Sequence, residues 1–445
     1  MNLQPNTRPP LRRAARRGLL ACGLALAIAN PAWADAVTDW NLVMDQAAPA
    51  TGGPPQQAYL GAMVHIAIHD ALNAIDRRYD TYDAVPTANP NASPDAAIAS
   101  AAHAVLIHEL SRLPETAAKI AARANVEASY TAALAAIADG TAENLGVGAG
   151  QAAADAIIAR RAGDGSDTPN LPYTLAPAAG VYQSTPPNFP VASFAGFALM
   201  PPFAMRSPSQ FRSDPGEIFD LGSAAYARDY NEVKQVGNAL VRGTAPDSAR
   251  SDIARFWAGG GANWNAVARG LTAASGLDRW QHARLYALMN IATVDAAISV
   301  FDTKYTYNFW RPVTAIRWAN DGNPATASDP GWLPFLTTPP YPDYTCGLPT
   351  LSAANAEVLR RYFGSDDVGY SFTVNTGAVP LPAPLAALPP KAITRSFDSL
   401  SQATAEAASA RVFAGIHFRS GCVQGVRQGT KVGRFAILHY LRPLK

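Results

Sequence analysis

Charge is scarce in this sequence. Only 16% of its 445 residues are Asp, Glu, Lys or Arg, while 48% are apolar. Disordered chains show the reverse balance, so that class is excluded. The net charge of +2 is itself misleading. Arg8, Arg12, Arg13, Arg16 and Arg17 crowd into the first 34 residues, which hold no acid, and without these five the charge falls to −3. A nucleic-acid partner therefore has no electrostatic support. Cysteine is nearly absent as well: beyond Cys22 there are Cys346 and Cys422. No repeat period emerges. Past residue 34 no stretch reads as long and apolar enough for a transmembrane helix, so no membrane span is expected once the leading segment is removed.

That leading segment reads as an export signal. A basic stretch through Arg17 precedes an apolar run from Leu19 to Ala29 and a small-x-small site, Ala32-Trp33-Ala34. The run is short of the roughly 20 residues that span a bilayer. Cleavage after Ala34 and a periplasmic or secreted product are expected. Arg16-Arg17 before Gly18-Leu19-Leu20 hints at the twin-arginine route, with the general route left open. Export places Cys346 and Cys422 where disulfides persist, and both fall in or beside the motifs below, so a bridge between them is expected.

The rest divides into an N-terminal helical part, residues 35–275, and a C-terminal part, residues 276–445, expected to form one structural unit. A stripe of Leu60, Val64, Ala67, Ala71 and Ile75 marks a helix. Further helices fit Pro94 to Leu110, Glu115 to Ala138, Thr141 to Ala162, Glu217 to Leu240, Ser248 to Trp257 and Asp278 to Asp302. Thr350 to Tyr362, Phe397 to Phe413 and Val423 to Tyr440 complete the set. Residues from about 164 to 208, rich in Pro, Ser and Thr, read as a long ordered loop or lid. Tyr370 to Val374 is the best strand candidate. The fold class is all-α, a helical bundle with long Pro-rich loops.

Three segments carry chemistry. In Lys304-Tyr305-Thr306-Tyr307-Asn308-Phe309-Trp310-Arg311-Pro312, Lys304 and Arg311 lie seven apart, which on a helix is one face and about 10 Å. Pro312 disfavours helix at Arg311, so a turn there can bring the two cations together around an oxyanion. In Tyr341-Pro342-Asp343-Tyr344-Thr345-Cys346-Gly347-Leu348-Pro349-Thr350, a glycine entering a helix offers an unhindered N–H to an anion. In Ser409-Ala410-Arg411-Val412-Phe413-Ala414-Gly415-Ile416-His417, Arg411 and His417 share a site if the helix ends near Gly415. Taken singly, each segment also fits a bland reading: a basic face, a loop before a helix, a core histidine.

In order and spacing the three segments resemble the signature of the vanadium-dependent haloperoxidase and type 2 phosphatidic acid phosphatase superfamily. That signature is Lys, six residues, Arg-Pro; then Pro-Ser-Gly-His; then Ser-Arg, five residues, His. The run from Met63 to Ile75, with His65 and His69, resembles the bacterial haloperoxidase-like branch. The resemblance implies that Lys304, Arg311 and Arg411 bind the oxygens of vanadate or phosphate, with Gly347 donating its N–H. His417 would ligate vanadium, or attack phosphorus in a phosphatase. It further implies a vanadate cofactor and a haloperoxidase-like oxidoreductase whose small-molecule partners are hydrogen peroxide, a halide and an organic acceptor. The alternatives are a soluble acid phosphatase acting on a phosphate ester and a non-catalytic oxyanion-binding homologue. A homo-oligomer is compatible with each.

The sequence departs from the signature in its middle motif. Cys346 replaces the serine and Leu348 the acid–base histidine; Ala410 replaces the serine before Arg411. Leucine moves no proton. Tyr341, Asp343 and Tyr344 are candidate substitutes. His65 and His69 have the i, i+4 spacing of a zinc pair, but helix packing explains them better. His103, His108, His282 and His439 are scattered, and Gly425, Gly429 and Gly433 form a stripe suited to close helix packing.

Overall fold

The computed structural model describes residues 35–444 apart from 171, 245–248 and 382–384. The expected export segment, residues 1–34, with Cys22, Arg16-Arg17 and Ala32-Trp33-Ala34, lies outside the described residues. From Asp35 onward the chain packs as one unit.

Fourteen α-helices stand among the described residues. The first half holds α1 (Ala36–Ala47), α2 (Pro54–Ile75), α3 (Pro94–Leu110), α4 (Ala117–Ala135), α5 (Thr141–Arg161), α6 (Ala224–Val236), α7 (Ala239–Thr244), α8 (Ala249–Ala258) and α9 (Trp264–Thr272). The second holds α10 (Arg279–Tyr307), α11 (Pro312–Arg317), α12 (Gly347–Phe363), α13 (Leu400–Phe413) and α14 (Arg419–His439). Local chemistry sets many of the ends. Ser93 caps α3 through Ala96 N–H with Pro94 at the first helical position, and Asp278 with Gln281 forms a capping box at α10.

Helices α2 and α10 are buried on nearly every side and form the centre. By length and composition α10 would qualify to cross a membrane, contrary to the expectation that no such helix follows the leader. Its apolar window is 94% buried inside the protein, as a core helix requires. Helix α14 lies against α12 on the glycine stripe: a Cβ at Gly429 would sit 1.9 Å from Thr350 O, and at Gly433 2.3 Å from Ala354 O. Only hydrogen fits between those backbones.

Two expectations are corrected. The helix expected over 217–240 is a 3₁₀ turn at Glu217–Phe219 followed by α6. That helix ends at its C-cap Gly237, where a Cβ would lie 2.3 Å from Gly415 Cα, and the chain continues into α7. Beside the expected strand β1 (Tyr370–Thr376) runs an unexpected β2 (Lys391–Phe397), antiparallel, with Val374 opposite Ile393. Both residues pack inward. The long loop expected over 164–208 is found: its described residues carry one short 3₁₀ turn, Ala195–Ala198, and are otherwise irregular.

Candidate functional site

Chain reversals, more than helix faces, bring the three segments together. Helix α10 ends just after Lys304, where Asn308 takes a left-handed conformation (φ 52°) and returns its N–H to Lys304 O. A piece of the Pro-rich loop then pairs with the departing strand. Tyr182 N–H donates to Asn308 O (2.7 Å) and Trp310 N–H donates to Gly180 O (3.0 Å). Arg311 is thereby turned inward as the N-cap of α11, with Pro312 fixing the first helical φ. The segment before α12 is anchored below by Asp343 N–H to Phe309 O (2.9 Å). Helix α13 stops at Phe413, and Gly415 (φ 77°) presses so close to Gly237 that a Cβ would meet its oxygen at 2.3 Å. That turn delivers His417 to the same place.

Lys304, Arg311, Asp343 and His417 are each at most 1% exposed. The Lys304 ammonium donates to Pro342 O and Asp343 O, both at 2.8 Å, and stands 5.2 Å from the centre of the Tyr341 ring. Arg311 donates through Nε to Tyr341 O (2.7 Å) and through Nη1 to Ile416 O (2.8 Å). The same Nη1 lies 3.0 Å from His417 Nε2. Asp343 Oδ1 lies 2.7 Å from His417 Nδ1 and 3.6 Å from Arg311 Nη1. A further network, Thr345 Oγ1 to Gln428 Oε1 and Gln428 Nε2 to Ser299 and Thr303, ties α14 to α10 beneath the cluster.

Burial dominates the electrostatics. It lowers Lys304 to about 7, with Arg311 adding to the effect. It raises Asp343 to about 7 against the pull of Arg311 and Lys304. Burial, then Arg311, Lys304 and Arg411, holds His417 well below the usual imidazole value. At neutral pH His417 is therefore a neutral base with a lone pair to offer.

Two buried guanidinium donors of this cluster have no hydrogen-bond partner, Arg311 Nη2 and Arg411 Nε. Arg411, in the last turn of α13, faces the cluster closely enough for its charge to act on His417 and Cys346. Leaving a buried charged N–H unpaired costs at least about 1–3 kcal/mol, so this vacancy in the bonding asks for an acceptor. Gly347 is the first residue of α12, where the N–H has no intrahelical partner, and a Cβ there would meet nothing nearer than Val300 Cγ1 at 3.8 Å. Cations, an open helix N-terminus and a neutral imidazole together suit a tetrahedral oxyanion such as vanadate or phosphate.

The structure thus brings Lys304, Arg311, Arg411, His417 and Cys346 into one cluster, with Gly347 opening α12 beside it. Leu348 is half-buried against the main core and offers nothing polar. Tyr344 is not a substitute for the missing histidine, because its hydroxyl donates to Asp214 O, away from the cluster. Tyr341 covers Lys304 and Arg311 with its ring. Asp343 alone of the three candidates puts an ionisable group against His417.

The expected Cys346–Cys422 bridge is not made. Both are free, buried thiols in hydrogen-bonding contact. Burial opposes ionisation of Cys346, but the bond from Cys422 and the charges of Arg411 and Lys304 outweigh it and pull the thiol below its ordinary value. Cys422 is pushed well above its own by burial and by Cys346.

Sequence reasoning missed the cover. Tyr182 is fully buried with an unpartnered hydroxyl, raised to about 12 by burial, and Phe194 packs on Phe301 and Tyr341 with ring centres 5.3 and 5.9 Å apart. Nothing in an irregular Pro-rich stretch signals which of its side chains turn inward. His65 and His69 are core residues, as helix packing requires. Asn41 Nδ2 lies 2.8 Å from His65 Nε2, and His69 Nδ1 lies 2.9 Å from Asp70. Elsewhere His103 stacks on Tyr130, His282 pairs with Asp35, and His439 packs on Phe435.

Residues 284–445 match the family model of the VCPO second helical-bundle domain. Vanadium chloroperoxidase of Curvularia inaequalis is 26% identical over 272 residues, covering 49% of this chain and 44% of the relative. The match therefore spans less than half the length of that curated relative. Among solved structures, the first bacterial vanadium-dependent iodoperoxidase aligns with a TM-score of 0.71 at 24% identity, over 92% of this chain and 97% of its own. The holo-type bacterial vanadium-dependent chloroperoxidase aligns at 0.68 and 20% identity, over 86% and 91%. Both likenesses are of fold.

Proposed function

The chain belongs to the vanadium haloperoxidase superfamily, and on that premise we propose that it is an exported, haloperoxidase-like enzyme that holds vanadate in the cluster of Lys304, Arg311, Arg411 and His417. The observation that carries this reading is the pair of buried, unpartnered guanidinium donors, Arg311 Nη2 and Arg411 Nε, beside a neutral His417.

In this reading Arg311 and Arg411 donate those N–H groups to equatorial oxygens, and Gly347 donates its backbone N–H from the start of α12. Lys304 has spent two of its three ammonium protons on Pro342 O and Asp343 O, which leaves one for the anion. A nearby dianion also restores the positive charge that burial takes from Lys304. His417 offers Nε2 once Arg311 Nη1 gives way. The cover formed by Tyr182, Phe194 and Tyr341 excludes water from the cluster. Bound vanadate supplies the activation of hydrogen peroxide by which a halide is oxidised.

Leu348 supports a second reading, an oxyanion-binding protein with little or no turnover. General acid–base help is worth about 10²–10⁴-fold, and a leucine supplies none. Bromide-dependent bromination, with and without added orthovanadate, tests the first reading beside phosphate release from a generic monoester. Vanadate-dependent bromination supports the haloperoxidase-like enzyme; phosphate release favours the acid phosphatase alternative. Silence in both assays, with orthovanadate still raising the melting temperature, supports the second reading. Export rests on the composition of residues 1–34 and is tested by sequencing the N-terminus of protein recovered from the periplasm or medium.

A further inference from the structure

Asp343 puts a carboxyl group inside a pocket otherwise lined by cationic side chains. Its side chain is fully buried, and neither carboxylate oxygen makes a well-aligned hydrogen bond. The donors nearest to it are His417 Nδ1, 2.7 Å from Oδ1, and the Phe418 N–H, which faces the carboxylate. Arg311 Nη1 stands 3.6 Å away. The main chain at this residue is held without the side chain: its N–H donates to Phe309 O and its carbonyl accepts from Lys304 Nζ. The carboxylate is therefore not required to fix the segment. A carboxylate so placed is costly to bury unless charges of opposite sign surround it. Here Lys304 and Arg311 do so, the two cations whose fields act on it most.

We propose that Asp343 is an internal counter-anion of the oxyanion site, a residue that sets its affinity and its preference for anion charge. The proposal rests on the oxyanion reading above. Asp343 supplies charge to the cations but not hydrogen bonds, since Arg311 Nη2 and Arg411 Nε remain unpartnered around it. A tetrahedral anion gains those bonds. It must, however, share the cluster with a carboxylate, in surroundings that screen like charges poorly. Both imidazole nitrogens of His417 also have close neighbours, Asp343 Oδ1 at 2.7 Å from Nδ1 and Arg311 Nη1 at 3.0 Å from Nε2. Asp343 thus opposes binding by charge, and opposes a dianion more than a monoanion.

The test titrates orthovanadate, orthophosphate and perchlorate calorimetrically, in mildly alkaline buffer where the first two are mainly dianions, into the full chain and into Asp343→Asn and Asp343→Ala, each checked for a native melting transition. Asparagine keeps the shape and removes the charge; alanine removes both. The expected result is tenfold or greater tightening for orthovanadate and orthophosphate in both variants, and a smaller change for the monoanion perchlorate. Unchanged or weaker binding in a folded variant overturns the counter-anion role and leaves the oxyanion reading standing. So does an equal gain for all three anions. Absence of binding in the native chain and in folded variants alike overturns the oxyanion reading, and this inference with it.

Discussion

Arg311 and His417 are in direct contact: Nη1 lies 3.0 Å from Nε2 and 3.3 Å from Nδ1, and both residues are buried. A guanidinium can lie so close to an imidazole because burial and three neighbouring cations keep His417 neutral. Arg311 thus joins the first segment to the third, while its Nε holds the second through Tyr341 O.

Arg311→Lys is expected to break that junction even though the charge is kept. A lysine is a point charge and cannot replace the fork that reaches Tyr341 O, Ile416 O and His417 at once. One buried carbonyl, Ile416 O, and one part-buried, Tyr341 O, would lose their donor, a cost of about 2–4 kcal/mol in urea unfolding. Orthovanadate binding should weaken by about 100-fold by calorimetry, equivalent to the loss of one or two charge-assisted bonds.

Leu348→His is expected to raise vanadate-dependent bromination by about 10²-fold or more, if its replacement of the signature histidine is what limits turnover. The position is the second residue of α12 and half-buried, so an imidazole there stays near the helix N-terminus. Steady-state rates on the variant and the native chain decide it. Equal rates would show that another group already moves the proton.

Gly429→Ala should lower the melting temperature despite alanine's better helix propensity, worth about 1 kcal/mol. The added carbon would sit 1.9 Å from Thr350 O, so α14 and α12 must separate. Overpacking of this kind costs about 1–3 kcal/mol or more. Gly148→Ala is the counterpart: it lies inside α5 with nothing within 4 Å of the new carbon, and should stabilise by up to about 1 kcal/mol. Paired thermal melts read both signs.

His65 makes the fold acid-sensitive. Burial, then Arg269, lowers it to about 3 from the ordinary imidazole value of 6.5. The unfolded chain therefore binds this proton first. Stability from His65 is fully present above pH 6.5 and is lost as pH falls towards 3. The slope in that window is up to about 1.4 kcal/mol per pH unit for one proton. His65→Gln keeps an acceptor for Asn41 and removes the titration. Urea unfolding at several pH values should show a shallower loss in the variant.

Much of the helical framework was legible because its signals are local. The ends of α3 match the expected Pro94 and Leu110, since a Ser-Pro start is written in adjacent residues. Helix α5 and the start of α10 were likewise visible from short-range capping and periodicity. Helices α1, α9 and α11 went unread: α9 and α11 are short, and the packing that stabilises all three comes from distant partners. Strand β2 exists by pairing with β1, and a lone segment carries no record of its partner.

The sequence by itself marked Lys304, Arg311, Arg411 and His417 as candidates for one site, because their spacings survive as a pattern along the chain. Only the tertiary structure decided how they meet. The left-handed turns at Asn308 and Gly415 and the pairing of residues 180–182 with 308–310 fold the cations inward. It also decided that Cys346 and Cys422 face each other as thiols and that Asp343, rather than Tyr344, lies against His417. The physical reason is common to all of these. Residue type is a local property, whereas burial, charge and hydrogen-bond partnership belong to the whole fold.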